Sequence, residues 1–187
     1  GNPNFANAFK YLGEAYQTLE NYPEAIKAFE NAISIDPEFT SVYNNLGIIY
    51  TFQKKYFKAI NTFKETLRAN PKFENGFFNL GMIYEILGRY PEAIKTYKTL
   101  LDLNPNHKEA MFSLGWALMD EKRYLEAAPI LKQAVRLNPK NADTHYSLGM
   151  VYAELGRNDD ALTQYRKTLQ MDSNHSGAYE KITRLEN

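Results

Sequence analysis

Residues 74–107, ENGFFNLGMIYEILGRYPEAIKTYKTLLDLNPNH, hold in one stretch the signals that decide the fold: Leu80-Gly81, then Tyr84, Ala93, Tyr97 and a closing Asn104-Pro105 step. Displaced by 34 residues in either direction, the stretch meets itself again. Gly13, Gly47, Gly81, Gly115 and Gly149 stand 34 residues apart, and a leucine precedes each (Leu12, Leu46, Leu80, Leu114, Leu148). Alanine follows twelve residues after each glycine (Ala25, Ala59, Ala93, Ala127, Ala161), and proline closes four copies (Pro37, Pro71, Pro105, Pro139). An aromatic lies three residues after most glycines (Tyr16, Tyr50, Tyr84, Tyr152), and a large side chain sixteen after (Phe29, Phe63, Tyr97, Leu131, Tyr165). A fixed period of this length is the mark of a repeat architecture.

With the glycine as position 8, the repeats run 6–39, 40–73, 74–107, 108–141 and 142–175, and a half-repeat, 176–187, reads as a capping helix. Each repeat reads as two amphipathic helices. The second opens near Tyr22 and Tyr90, where the following proline suits the first helical turn because its missing N–H would have no partner there. The Asp-Pro or Asn-Pro step stops that helix, since the residue before proline is pushed out of helical geometry. Glycine at position 8 and alanine at position 20 predict close approach of two helix backbones. Each repeat leaves an apolar face that only its neighbour can cover. The expected fold is all-α, a stacked α-solenoid.

Departures from the pattern are local. Pro129 falls inside the second helix of the fourth repeat and predicts a kink. Ser173 replaces the closing proline of the fifth repeat, and Asn158, Asp159 and Asp160 open its second helix, where acidic groups suit the positive end of the helix dipole. At the other end, Asn2-Pro3-Asn4-Phe5 reproduces the joint Asp36-Pro37-Glu38-Phe39, so residues 1–5 read as the end of a preceding joint or a tag remnant, as in a piece excised from a longer protein.

These residues resemble the tetratricopeptide repeat (TPR) family, with its Leu-Gly-x-x-Tyr, Ala-x-x-x-Phe and Pro pattern. The resemblance covers nearly the whole chain and implies a right-handed superhelix of helix-turn-helix units. It also implies that positions 2, 5, 6, 9, 12 and 13 of the first helices line a concave, peptide-binding groove. Here those positions supply Asn45, Ile48, Phe52, Phe78, Asn79, Met82, Phe112, Trp116, Tyr146 and Met150. Asn44, Met119 and Ser147 fall on the same expected face, and Glu109, Asp120, Asp143 and Glu154 form a mildly acidic rim. Phe78, Met82, Phe112, Trp116, Tyr146 and Met150 make two apolar rows that the core pattern does not require, and contiguous exposed apolar area of this kind marks binding surfaces. Packing of these side chains against the next repeat is the alternative. Asn45 and Asn79 resemble the inner asparagine ladder of the O-linked N-acetylglucosamine transferase repeat domain, where amides hold an extended peptide backbone. The dicarboxylate clamp of chaperone-binding members is not matched, because Glu14 stands at an asparagine position and Asn75 and Asn79 at basic ones.

Composition narrows the function. The 187 residues carry 22 Lys plus Arg against 22 Asp plus Glu, so the basic surplus of a nucleic-acid binder is missing and nucleic acid is not an expected partner. No apolar run approaches the roughly 20 residues of a membrane span. With no cysteine there is no thiolate nucleophile or cysteine-ligated metal site. His107, His145 and His175 fall at joints or at a core position, apart from other soft ligands, so no metal is expected. The glycines never cluster into a phosphate-binding loop, and Asp120-Glu121 and Asp159-Asp160 point in different directions on a helix. No cofactor is called for, and the chain reads as a non-enzyme. The second repeat is the basic outlier, with Lys54, Lys55, Lys58, Lys64 and Arg68 assigned to its second helix as a solvated face. No signal peptide is visible, and localisation stays open. Three functional readings follow: a protein or peptide bound in the groove, a self-assembling homo-oligomeric scaffold, or the peptide-binding repeat domain of a larger enzyme such as a glycosyltransferase.

Overall fold

The computed structural model describes residues 3–186; Gly1 and Asn2, which begin the joint-like segment, and Asn187 lie outside the described residues. Eleven α-helices and no strands are present among them. They group into two compact bodies, one ending at Leu87 and the other starting at Gly88, so the boundary falls between the two helices of the third repeat. The N-terminal body holds α1 (Pro3–Thr18), α2 (Tyr22–Ile35), α3 (Thr40–Phe52), α4 (Tyr56–Ala69) and α5 (Glu74–Ile86). The C-terminal body holds α6 (Tyr90–Leu103), α7 (Lys108–Asp120), α8 (Tyr124–Leu137), α9 (Ala142–Glu154), α10 (Asn158–Met171) and α11 (Ser176–Glu186). Within each body every helix packs on the next in sequence, and α3 also touches α5 as α7 touches α9. Pro3–Phe5 belong to α1, whereas Pro37 and Glu38 form a turn, so the two similar segments adopt different structures.

The small residues work differently from the backbone-to-backbone contact expected at position 8. A Cβ on Gly13 would lie 2.5 Å from Phe29, on Gly47 2.6 Å from Phe63, on Gly115 2.4 Å from Leu131 and on Gly149 2.6 Å from Tyr165. The first helix thus exposes bare backbone so that the large side chain of its own second helix can lie against it. Those four partners are completely buried, as are all five alanines at position 20. Burial of a side chain the size of Phe29 or Phe63 contributes about 2–3 kcal/mol, which is why the glycine and the residue sixteen later are tied together.

The turn inside each repeat places its fifteenth residue in the left-handed region: Glu20, Lys54 and Lys122 have φ of 55°, 56° and 56°, and Gly88 and Gly156 have 66° and 73°. The next N–H bonds back across the turn, from Asn21 to Tyr16 O at 2.9 Å, Lys55 to Tyr50 O at 2.8 Å, Arg123 to Leu118 O at 2.8 Å and Arg157 to Tyr152 O at 2.8 Å. This left-handed cap satisfies carbonyls that the end of a helix leaves open. Lys54 and Lys55 therefore sit in the turn, and of the expected basic cluster only Lys58, Lys64 and Arg68 lie on α4.

Between repeats, the residue before the proline turns the chain with its side chain. Asp36, Asn70, Asn104 and Asp172 each accept the N–H two residues on, at 3.0–3.1 Å. The Asp172 turn keeps this bond although Ser173 replaces the proline, so the acceptor is sufficient to form it. Pro129 lies on the exposed side of α8, which continues from Tyr124 to Leu137.

Candidate functional site

In the N-terminal body, Ile48, Phe78 and Met82 are half-buried, and Phe52 at the end of α3 is 65% exposed. Tyr22 stacks on Phe52 with centroids 6.4 Å apart and planes 11° from parallel. The two ladder asparagines do not stand free. Asn45 donates its side-chain amide to Glu14 Oε1 at 3.3 Å, and Asn79 donates to Asn44 Oδ1 at 3.0 Å, which joins adjacent first helices. Asn44 is buried, so it supports Asn79 instead of lining a groove. Beside Asn45 and Phe52 opens a cleft of 630 Å³ whose walls include Glu14, Glu20 and Tyr22.

In the C-terminal body, Phe112 and Trp116 are half-buried on α7 and meet edge to face at 6.3 Å and 73°. Successive turns of one helix bring them together, and such a pair adds about 0.5–1.5 kcal/mol beyond its burial. Tyr146 is partly used inside the fold. Its ring lies 5.7 Å from Tyr165 and 4.4 Å from His175, and burial raises its phenol above the ordinary value. Met150 is half-buried in a 260 Å³ cleft shared with Glu154, Tyr165, Lys181 and Arg184. Met119 and Ser147, expected on the open face, are buried. Ser147 turns its hydroxyl back onto Asp143 O at 2.7 Å, which removes the need for a solvent partner. Glu109, Asp120, Asp143 and Glu154 are exposed.

The histidines are structural. His107 and His175 begin first helices and accept the N–H of Ala110 at 3.2 Å and Ala178 at 3.1 Å, as Asn141 accepts that of Thr144 at 2.7 Å. His145 is buried, with Gln164 Oε1 at 2.7 Å on one ring nitrogen and Pro139 O at 3.1 Å on the other. Among the described residues no group of three or more His, Cys, Asp and Glu is placed to hold a metal ion, and no helix is long and apolar enough to cross a membrane. Sequence reasoning missed the Tyr22–Phe52 stack, because the two rings come from different repeats. It also missed the part α11 plays in the Met150 cleft. It missed the cap at Asn141 as well, although Asn before a helix start is a preferred cap.

Tetratricopeptide repeat models match residues 6–39, 44–107, 78–142 and 112–176. The chain belongs to the tetratricopeptide repeat family. TPR proteins are protein-interaction scaffolds, generally without catalysis of their own. None of the curated proteins compared matches the chain in sequence. Among solved structures it is similar to YrrB, described as a TPR protein with an unusual peptide-binding site, at 23% identity and a TM-score of 0.82, covering 92% of this chain and 89% of that one. It is also similar to MamA from Desulfovibrio magneticus RS-1, at 16% identity and a TM-score of 0.83, covering 94% and 98%. A TPR protein from Parabacteroides merdae aligns at 19% identity and a TM-score of 0.85, covering 97% of this chain and 72% of that one. At these identities the likeness concerns the fold.

Proposed function

We propose that this TPR protein is a non-catalytic scaffold that receives an apolar peptide or an amphipathic helix on the inner face of its first helices. Phe112 and Trp116 are the anchors in the C-terminal body, and Ile48, Phe52, Phe78 and Met82 offer apolar area in the N-terminal body. The observation that carries the reading is the Phe112–Trp116 pair, two large rings left half-exposed on α7 while the core positions of the same helix are filled by Leu114 and Leu118. Trp is among the residues that dominate binding energy at interfaces. The peptide-binding site ascribed to YrrB agrees with this use of the fold. The test compares proteins recovered from a lysate by the wild type and by Phe112→Glu, Trp116→Glu with unchanged helicity. Proteins lost with the variant support the reading; identical recovery contradicts it.

Self-association is a second reading, favoured by one observation. Leu12 on α1 is 44% exposed, whereas Leu46, Leu80, Leu114 and Leu148 at the same position are 6%, 6%, 1% and 2% exposed. Ala8 and Ala15 beside it are exposed too, so α1 presents an uncharged apolar seam suited to a second helix. A mass that rises with concentration, and falls back in Leu12→Asp, supports this reading; a constant monomer mass removes it.

A further inference from the structure

We infer that the cleft between the first two repeats is a recognition pocket for an arginine side chain carried on an extended segment of a partner protein. This rests on the reading that the protein binds peptides and adds the chemistry of one subsite. The cleft occupies 630 Å³ wholly within the N-terminal body. One wall is the Phe52 ring, 65% exposed, with Tyr22, another lining residue, stacked near-parallel to it. No part of the repeat pattern requires an aromatic there, and an exposed ring is a ready surface for a flat cation.

Charge selects the occupant. Glu14 and Glu20 line the cleft, and no basic residue does. Glu14 is held by the Asn45 amide at 3.3 Å and lies 3.9 Å from Lys10 Nζ, a loose pair with the carboxylate still 40% exposed. Glu20 sits at the left-handed end of α1, so its backbone is fixed beside the opening. A guanidinium can lay its face on Phe52 while its edge N–H groups reach a carboxylate, and its alkyl stem covers the rest of the ring. The compact, strongly hydrated lysine ammonium does not combine the two contacts as well. The first repeat of a second copy is a poor occupant of the cleft, because it carries Glu14, Glu20, Glu24, Glu30, Asp36 and Glu38 against only Lys10 and Lys27.

The test is an amide-correlation NMR titration of the whole chain with acetyl-Leu-Arg-Leu-amide and with the same peptide carrying citrulline, the neutral isostere of arginine. The arginine peptide is expected to shift the Asn45 side-chain amide and the Glu20 backbone amide saturably, and citrulline to bind about tenfold more weakly. Glu14→Gln and Phe52→Ala, each with an otherwise unchanged spectrum, should weaken the arginine peptide, and added salt should weaken it in the wild type. Equal binding of citrulline, the absence of shifts at Asn45 and Glu20, or unchanged binding in both variants overturns the inference. So does a shift of the same signals with protein concentration alone, which would place a second copy in the cleft. Phe112→Glu, in the other body, should leave the arginine titration intact, so failure of the C-terminal anchors and failure of this subsite are read separately.

Discussion

At the start of their first helices the N-terminal body places Phe39 and Phe73, and the C-terminal body places His107, Asn141 and His175 at the same position. The phenylalanines give no side-chain cap; Phe39 packs instead on the core formed by Phe29, Val42 and Ile49. The histidines and the asparagine cap the next helix with a hydrogen bond. A second difference lies at the second helices. Arg89, Arg123 and Arg157 each pair with an acid three residues on, and Glu92 and Glu126 are held below the usual carboxylate range by those arginines. In the N-terminal body the same places hold Asn21 with Glu24 and Lys55 with Lys58. One repeat pattern therefore fixes the helices and leaves the joints free to be stabilised by apolar burial or by polar caps.

The largest expected effect breaks what the two bodies share. Gly47→Ala drives a methyl into Phe63, and Gly115→Ala drives one into Leu131. The first should cost about 2–3 kcal/mol, read by denaturant unfolding, and the second less, because leucine can change rotamer where a buried ring cannot. Equal small losses would mean that position 8 is not what ties the helix pair together. Next in size is an exchange of joints. Phe39→Asn offers a cap worth about 1 kcal/mol but removes apolar burial of about 2 kcal/mol, so it should destabilise, whereas Asn141→Phe loses its cap without a prepared site for the ring. If Phe39→Asn is neutral, the joints do not differ in the way described.

The smallest effect concerns the ring at position 24. Phe29 and Phe63 have no hydroxyl, but Tyr165 buries one without a partner. Burial, with Tyr146 and Glu154 adding to it, pushes the Tyr165 phenol up to about 12. A raised value in the folded state favours the neutral phenol. Its contribution to stability is whole below the ordinary tyrosine value of about 10 and is lost as the pH climbs through about 12. Tyr165→Phe should gain about 1 kcal/mol at neutral pH by removing the unpaired group, and should flatten the fall in melting temperature across that alkaline window. A loss of stability would reveal a partner for the hydroxyl.

Most of the fold was legible because each repeat restates it: five Leu-Gly pairs, five alanines and the Asp or Asn turns leave no other arrangement of the helices. The candidate face was legible in part. Periodicity put Phe112 and Trp116 on one side of α7, and their rings meet there because both lie on the same element. It could not see that α10 and α11 would draw in Tyr146, or that Ser147 would satisfy itself on Asp143. It misread Lys54 as helical because lysine at a left-handed turn position carries no signature, unlike Gly88 and Gly156 at the equivalent places.

Trp116 is the one tryptophan in the chain, so its emission reports directly on the proposed anchor pair. The decisive measurement titrates a partner recovered in the lysate comparison into wild type and into Phe112→Glu while following that emission. A saturable blue shift in the wild type, lost in Phe112→Glu at equal helicity, is the predicted result. Tight binding that leaves Trp116 emission unchanged would contradict the account, because the partner would then dock elsewhere.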